Sequence, residues 1–216
     1  MITIMLAEDH TIVREGFKTL LNTVPDFQVI GDVADGLEAT RMAEQLQPDV
    51  LVVDLMMPGL SGYEVTRQVS QRAPGTRVVV LSMHTSEAHV LEALRSGALG
   101  YVQKGGNSAE LISAIRAAAA GKRYLGEPFT ERAIEAYIQR ATTAQFDKYE
   151  TLTQREREVL HLSAEGHSKP EIAERLCISP RTVETHQNSI RRKLGLKSQA
   201  DLFRYAVKRG LIAGNP

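Results

Sequence analysis

The sequence predicts a doubly wound parallel α/β domain followed by a small all-α domain. Three observations carry that reading. Short apolar runs alternate with helical periodicity five times within about the first 120 residues. Charge is divided unevenly along a chain of 216 residues whose net charge is zero. The back third carries repeated helix-start signatures of the Ser/Thr-x-x-Glu kind, with glycines at the expected stops.

Ile2–Leu6 is the first strand and runs into Ala7–Glu8–Asp9. Val13, Phe17, Leu20 and Leu21 then recur at helical spacing. Phe27–Val33 reads as the second strand and Leu37–Leu46 as a helix with Met42, Ala43 and Leu46 inward. The most informative run is Asp49–Asp54. Between its two aspartates stand four apolar residues, three of them Val, the mark of a central strand buried on both faces. Pro58 and Gly59 enforce the turn that follows. A helix around Tyr63, Val65 and Val69 comes next, then the strand Val78–Ser82 and a helix through Val90, Leu91 and Leu94. The strand Leu99–Val102 and a helix through Leu111, Ile112 and Ile115 complete a five-stranded unit.

Residues 1–120 carry 9 Lys/Arg against 14 Asp/Glu, residues 121–148 carry 5 against 4, and residues 149–216 carry 12 against 8. An acidic front and a basic back indicate two domains with different partners, a cation or phosphate site first and nucleic acid second. Cys177 is the single cysteine, which excludes an intrachain disulfide and reads by default as a buried helical thiol. The start of the chain has no basic leader, and no apolar run approaches ~18 residues, so a soluble, cytoplasmic protein without membrane contact is expected.

In an open parallel sheet, ligands bind beyond the carboxyl ends of the strands. Glu8 and Asp9 end the first strand, Asp54 the third and Ser82 the fourth, while Lys104 lies just past the fifth. Taken singly, each has an ordinary role as a cap, a strand-end hydroxyl or a solvated lysine. Together they converge on one crevice. Three clustered carboxylates repel one another unless a hard cation such as Mg²⁺ sits between them. Asp54, the central acid, could then accept a phosphoryl group as a nucleophile, with Lys104 and Ser82 orienting its oxygens.

On Glu8–Asp9, Asp54 with Pro58–Gly59 after it, Ser82 and Lys104, residues 1–120 resemble the receiver domain of a bacterial two-component response regulator. The resemblance implies a flavodoxin-like fold and phosphorylation of Asp54 by a sensor histidine kinase. It also implies Mg²⁺ held by Asp9, Asp54 and the Met56 carbonyl, with Glu8 acting through water. Tyr101 falls at the family's aromatic switch position and Ser82 at its partnering hydroxyl.

Residues 121–148 read as a linker. Pro128 opens a short amphipathic helix with Phe129, Ala133, Ile134, Tyr137 and Ile138 on one face, and Gln139–Tyr149 is a polar tether. In residues 149–216, Thr153–Glu156 is a capping box that starts a helix closed by Gly166. Ser168–Glu171 opens a second helix, and the turn Ile178–Ser179–Pro180 starts a third, Arg181–Leu194, ended by Gly195. Ser198–Asp201 caps a fourth that ends at Gly210. Two helices joined by the Cys177–Ser179 turn make a helix-turn-helix. In the third, Val183, Ile190 and Leu194 form the inner stripe.

The runs Leu152–Leu160, Glu171–Ala173, Arg181–His186 and Lys193–Leu196 resemble a LuxR-type DNA-binding domain. That resemblance places Glu184, Thr185 and Asn188 near base edges. It places Lys169, Arg181, Thr182, Arg191 and Lys193 near phosphates. Glu184 has two readings: it accepts a hydrogen bond from a cytosine amino group, or it holds Arg181 or Asn188 in place. The two resemblances together point to a NarL/FixJ-type response regulator, a transcription factor that dimerises and binds double-stranded DNA when Asp54 is phosphorylated. It is expected to be no enzyme beyond its own phosphotransfer and dephosphorylation. A haloacid-dehalogenase-like phosphatase would need a second acid two residues after the nucleophile, where this chain has Met56. A regulator working without phosphate would not need the intact set of Glu8, Asp9, Asp54, Ser82 and Lys104.

Overall fold

The computed structural model describes residues 1–84, 86–126 and 148–212. The linker helix expected from Pro128 and most of the tether lie outside them. The chain divides into two compact units between Thr142 and Thr143.

The front unit alternates β1 (Ile2–Ala7), α1 (Thr11–Asn22), β2 (Phe27–Val33), α2 (Gly36–Leu46), β3 (Val50–Asp54) and α3 (Gly62–Arg72). It continues with β4 (Arg77–Ser82), α4 (Glu87–Arg95), β5 (Gly100–Gln103), α5 (Ser108–Ala119) and β6 (Tyr124–Leu125). The strands pair in parallel in the order β2-β1-β3-β4-β5-β6. The sequence predicts five strands. The sixth is two residues long and pairs Tyr124 with Gly100 and Leu125 with Tyr101, too short for any alternation to announce it.

Strand alternation sorts the core into two layers. Ile4, Leu6, Val50, Val52, Val79, Leu81 and Val102 form one buried cluster with Leu21 of α1 and Leu111, Ala114, Ile115 and Ala118 of α5. Met5, Leu51, Val53, Val78 and Val80 lie at the alternate positions and are equally buried. β3 is buried over its full length, as its apolar run requires. The order reverses between β1 and β3, the topological switch point at which a doubly wound sheet opens a crevice.

Two glycines let that crevice close tightly. Gly36 packs so near Leu60 that a Cβ would lie 2.1 Å from its carbonyl oxygen. At Gly62 a Cβ would come within 2.2 Å of the Asp54 carbonyl oxygen, so the start of α3 rests directly on the end of β3. Asp35 caps α2, accepting from the amides of Leu37 and Glu38. Leu46, expected inward, is 40% exposed. It is the last residue of α2, where Gln47 at φ 47° ends the helix, and only its tip approaches Gly31.

The back unit begins with a 3₁₀ turn, Lys148–Thr151, followed by α6 (Gln154–Ala164), α7 (Lys169–Leu176), α8 (Pro180–Leu194) and α9 (Gln199–Lys208). Thr153–Glu156, Ser168–Glu171 and Ser198–Asp201 each form a reciprocal capping box. Ser179 caps α8 by accepting from the Thr182 amide, and Gly195 ends it at φ 74°. The end of the expected tether is not free chain: Tyr149 is buried, with the guanidinium carbons of Arg157 and Arg209 5.1 and 4.9 Å from its ring centre. Cys177 is exposed, contrary to the default expectation. It sits in the helix-turn-helix turn at φ 53°, where the chain leaves α7 and its side chain has no core to enter.

Gly62→Ala should lower the stability of the front unit by about 1–3 kcal/mol, because backbone must move to admit the methyl group. Gly16→Ala, in α1 with nothing within 4 Å of the added Cβ, should raise it by about 0.5–1 kcal/mol. Urea unfolding of the two variants beside the parent checks both signs; equal effects would refute the close packing of α3 on Asp54.

Candidate functional site

The crevice gathers the acids that the sequence singles out. Asp54 is 5% exposed and Glu8 3%. Lys104 Nζ lies 2.7 Å from Glu8 Oε2 and 2.8 Å from Asp54 Oδ2, so one ammonium bridges both carboxylates. Burial pushes the Asp54 carboxyl up from its ordinary value and the charge of Glu8 adds to this, against the Lys104 bond and the Met56 amide. Burial alone would lower the Lys104 ammonium, but its bonds to Asp54 and Glu8 outweigh this and its pKa is raised. Both shifts express one fact: two acids have been buried around one cation.

One neighbour was not anticipated. His10 Nδ1 stands 3.0 Å from Glu8 Oε1 and 2.9 Å from Asp9 Oδ1. Its hydrogen bond to Glu8, then the charge of Asp9, raises the imidazole pKa. His10 follows directly on Glu8–Asp9, and that adjacency is the only sequence signal for it. Ligand atoms of Glu8, Asp9, His10 and Asp54 all lie within 4.8 Å of one another. Asp9 Oδ1 is buried and makes no hydrogen bond, having only the ion-pair contact with His10. Oxygen donors from β1 and β3 set this close, one of them unsatisfied, fit a hard dication such as Mg²⁺. Met56 follows β3 and turns its amide to the Asp54 carboxylate.

Ser82 and Tyr101, the residues the resemblance assigns to the switch, meet at the end of β4. Ser82 Oγ accepts from the His84 amide at 3.0 Å. Tyr101, 1% exposed, donates its hydroxyl to the His84 carbonyl at 2.7 Å. One residue of the loop after β4 thus bonds Ser82 through its amide and Tyr101 through its carbonyl. The His84 ring stacks on His89 of α4 with centres 4.3 Å apart, and Tyr63 Oη is 2.5 Å from His89 Nδ1.

In the back unit, α8 buries Val183, Gln187, Ile190 and Leu194. Gln187 joins the apolar stripe because its side-chain amide donates to Ser163 Oγ at 3.0 Å. The opposite face exposes Arg181, Glu184, Thr185, Asn188 and Arg192, one continuous stripe at helical spacing. Arg192, which helical phase puts on the outer face but which is not among the expected DNA contacts, belongs to this stripe, four residues beyond Asn188. Lys169 sits beside the stripe, its Nζ 2.9 Å from Glu184 Oε1. Thr182 is half-buried at the cap, its hydroxyl 2.8 Å from Ser179 Oγ. Arg191 is half-buried, with Nε shielded from solvent. Lys193, expected at phosphates, turns instead into its own domain. Its Nζ lies 2.6 Å from Glu156 Oε2 and 3.0 Å from the Thr151 carbonyl oxygen.

The family model for the response regulator receiver domain matches residues 4–116, and that for bacterial regulatory proteins of the luxR family matches residues 150–206. The chain is 38% identical over 213 residues to the oxygen regulatory protein NreC of Staphylococcus carnosus, covering 97% of this chain and 98% of that one. Among solved structures it is similar to a LuxR-family two-component response regulator from Aurantimonas (38% identity, TM-score 0.60, 64% of this chain and 99% of the other). It is also similar to RcsB of Salmonella enterica serovar Typhimurium bound to promoter rprA in the presence of phosphomimetic BeF3- (25% identity, TM-score 0.56, 94% and 97%). Among the described residues, no helix is long and apolar enough to cross a membrane.

The Lys193–Glu156 pair has a pH signature. Burial would raise the Glu156 carboxyl, but bonds from Lys193, Ser189 and the Thr153 amide bring it from 4.5 down to about 2. A depressed carboxyl contributes stability that is full above its unfolded value and is lost as pH falls through its folded one. Lys193→Met should therefore destabilise the helical unit at pH 7, and the gap from the parent should close between about pH 4.5 and 2. Thermal melts followed by helical circular dichroism across that range read the gap; a gap constant with pH would exclude the pair as its source.

Proposed function

The chain belongs to the LuxR-family two-component response regulators, and from that membership we propose that phosphorylation of Asp54 by a sensor histidine kinase drives its dimerisation and sequence-specific DNA binding. The observation that carries the reading is the single ammonium of Lys104 set between Glu8 and Asp54 at the switch point of the sheet. A buried carboxylate beside a cation, open to the crevice, is a nucleophile awaiting an anionic group.

In the reaction, an Asp54 carboxylate oxygen forms a bond to phosphorus as the phosphorus–nitrogen bond of the kinase phosphohistidine breaks, and the electron pair returns to the imidazole. Asp9, Asp54 and the Met56 carbonyl would hold Mg²⁺, with Glu8 acting through water. The ion, when bound, supplies positive charge against the phosphoryl oxygens. Lys104 keeps its ammonium beside Asp54 and exchanges a carboxylate partner for a phosphoryl oxygen. Ser82 turns its hydroxyl from the His84 amide to the same group. Because Tyr101 is bonded to the carbonyl of His84, the loop and the aromatic ring move together. A shift from 1:99 to 99:1 needs about 5.5 kcal/mol of differential stabilisation, which charge-assisted bonds together with a dimer interface can supply.

The exposed stripe of α8 is the DNA-reading surface, with the first turns of the helix in the major groove and Thr185 and Asn188 at base edges. Lys169, Arg181, Thr182, Arg191 and Arg192 act on phosphates, while Lys193 works from inside the domain by holding the start of α6. A two-fold dimer then demands half-sites about 10 base pairs apart, centre to centre. Gene regulation of this kind takes place in the cytoplasm.

Asp54→Asn should abolish labelling by a phosphodonor such as acetyl phosphate with Mg²⁺, and Asp9→Asn should slow it. Normal uptake of hydroxylamine-labile phosphate by Asp54→Asn would overturn the assignment. Beryllofluoride, which occupies the phosphoryl position without a covalent transfer, should raise both the sedimentation coefficient and the DNA affinity of the parent chain. A chain whose association and DNA binding both stay unchanged would refute the coupling.

A further inference from the structure

The following rests on α8 as the DNA-reading helix and concerns which bases it reads. Its exposed stripe offers three side chains short or polar enough to address base edges, and the structure does not leave them equally free. Glu184 Oε1 accepts from Lys169 Nζ at 2.9 Å, a bond that spans the two helices of the helix-turn-helix. Thr185 Oγ1 donates to the Arg181 carbonyl at 3.0 Å, which uses its hydroxyl hydrogen and leaves the methyl group and oxygen lone pairs to offer. The Asn188 side chain is exposed and, among the described residues, makes no hydrogen bond.

Each commitment selects a base. A carboxylate suits the amino group of cytosine, but Glu184 would have to leave Lys169 and bring an unpaired negative charge among phosphates. Paired, the same residue holds Lys169 over the groove edge and has its own charge neutralised. An amide presents a donor and an acceptor side by side, the complement of the N7 acceptor and N6 donor of adenine. A threonine whose hydroxyl hydrogen is bound within the helix presents a methyl group, the complement of the thymine methyl. Thr185 and Asn188 are three residues apart on one face, so the two features address neighbouring positions in one groove.

We propose that α8 reads A·T pairs, Asn188 taking adenine and Thr185 the thymine methyl, and that Glu184 is a positioning residue for Lys169 and not a reader of cytosine. The full-length chain, activated with beryllofluoride, is put through selection from a randomised duplex library, and the parent is compared with Asn188→Ala, Asn188→Asp and Glu184→Ala. The parent should enrich a half-site with A·T pairs at adjacent positions. Asn188→Ala should lose roughly 5- to 150-fold of discrimination for adenine at one position. Asn188→Asp should move that position toward cytosine, since a carboxylate accepts from its amino group. Glu184→Ala should weaken every sequence alike and flatten the salt dependence, because Lys169 loses the bond that holds it toward its phosphate, with all base preferences intact. Loss of a cytosine preference in Glu184→Ala, or an adenine preference that survives Asn188→Ala, overturns the proposal while leaving DNA binding standing. A parent that enriches no sequence overturns the DNA-reading role of α8 itself, and this inference with it.

Discussion

Burying two carboxylates around one ammonium is the constraint on which the front domain depends. Glu8 and Asp54 come from strands adjacent in the sheet but far apart in sequence, and neither could be withdrawn from water alone. An uncompensated buried charge would be expelled or neutralised. Lys104, delivered just past β5, reaches across β4 to meet both, so the register of three strands is tied to one cation. The same constraint explains the tight glycines. Gly62 lets α3 rest on the Asp54 carbonyl, so the end of β3 is held against the start of α3. The acids are held for chemistry at the expense of a simpler core.

The back domain solves the opposite problem, that of keeping cations on its surface. Three of its four helix starts are fixed by reciprocal caps. Lys193 is drawn inward by Glu156, whose other oxygen contacts tie it to the start of α6. Arg157 and Arg209 close on the Tyr149 ring. The bases left on the outer face of α8 are those without an internal acid, Arg181 and Arg192, together with Lys169 paired across the turn to Glu184.

Much of this was legible in the sequence because the signals are local. An apolar run between aspartates reads as a strand buried on both faces, and Thr153, Ser168 and Ser198, each three residues before an acid, read as caps. The receiver site was legible for a further reason: in a parallel sheet every strand end lies on the same rim, so placing Glu8, Asp54, Ser82 and Lys104 at strand ends also placed them together. What stayed hidden depends on distance in space or on phase. β6 has two residues and no pattern of its own. Lys193 is expected outward with Arg192, its neighbour in sequence, and the 100° between them on the helix lets it reach Glu156 instead. Cys177 looks helical until the chain turns left-handed at that residue. His10 joins the acids through a side chain whose direction no periodicity predicts.

The energetic sense of the switch can be argued from the bonds at His84. In the structure Ser82 and Tyr101 each make one neutral hydrogen bond to the backbone of that residue, contributions of about 0.5–1.5 kcal/mol apiece. A phosphoryl group on Asp54 brings about 1.5 to 2 negative charges into a pocket already holding Glu8 and Asp9. Hydrogen bonds to such a group contribute about 1.5–3 kcal/mol each. Ser82 accepts from the His84 amide and bonds Tyr101 through its hydroxyl, so on the proposed mechanism turning that hydrogen to phosphate would trade a neutral bond to Tyr101 for a charge-assisted one. On the proposed mechanism Tyr101 would keep its bond to the His84 carbonyl through the same movement, and the loop would carry the ring with it. The margin from Ser82 alone is one or two kcal/mol, well short of the roughly 5.5 that a complete switch requires. On the proposed mechanism the remainder has to come from groups that change partners at the same moment, and Lys104, which would trade Glu8 for a more highly charged neighbour, is the residue placed to supply it.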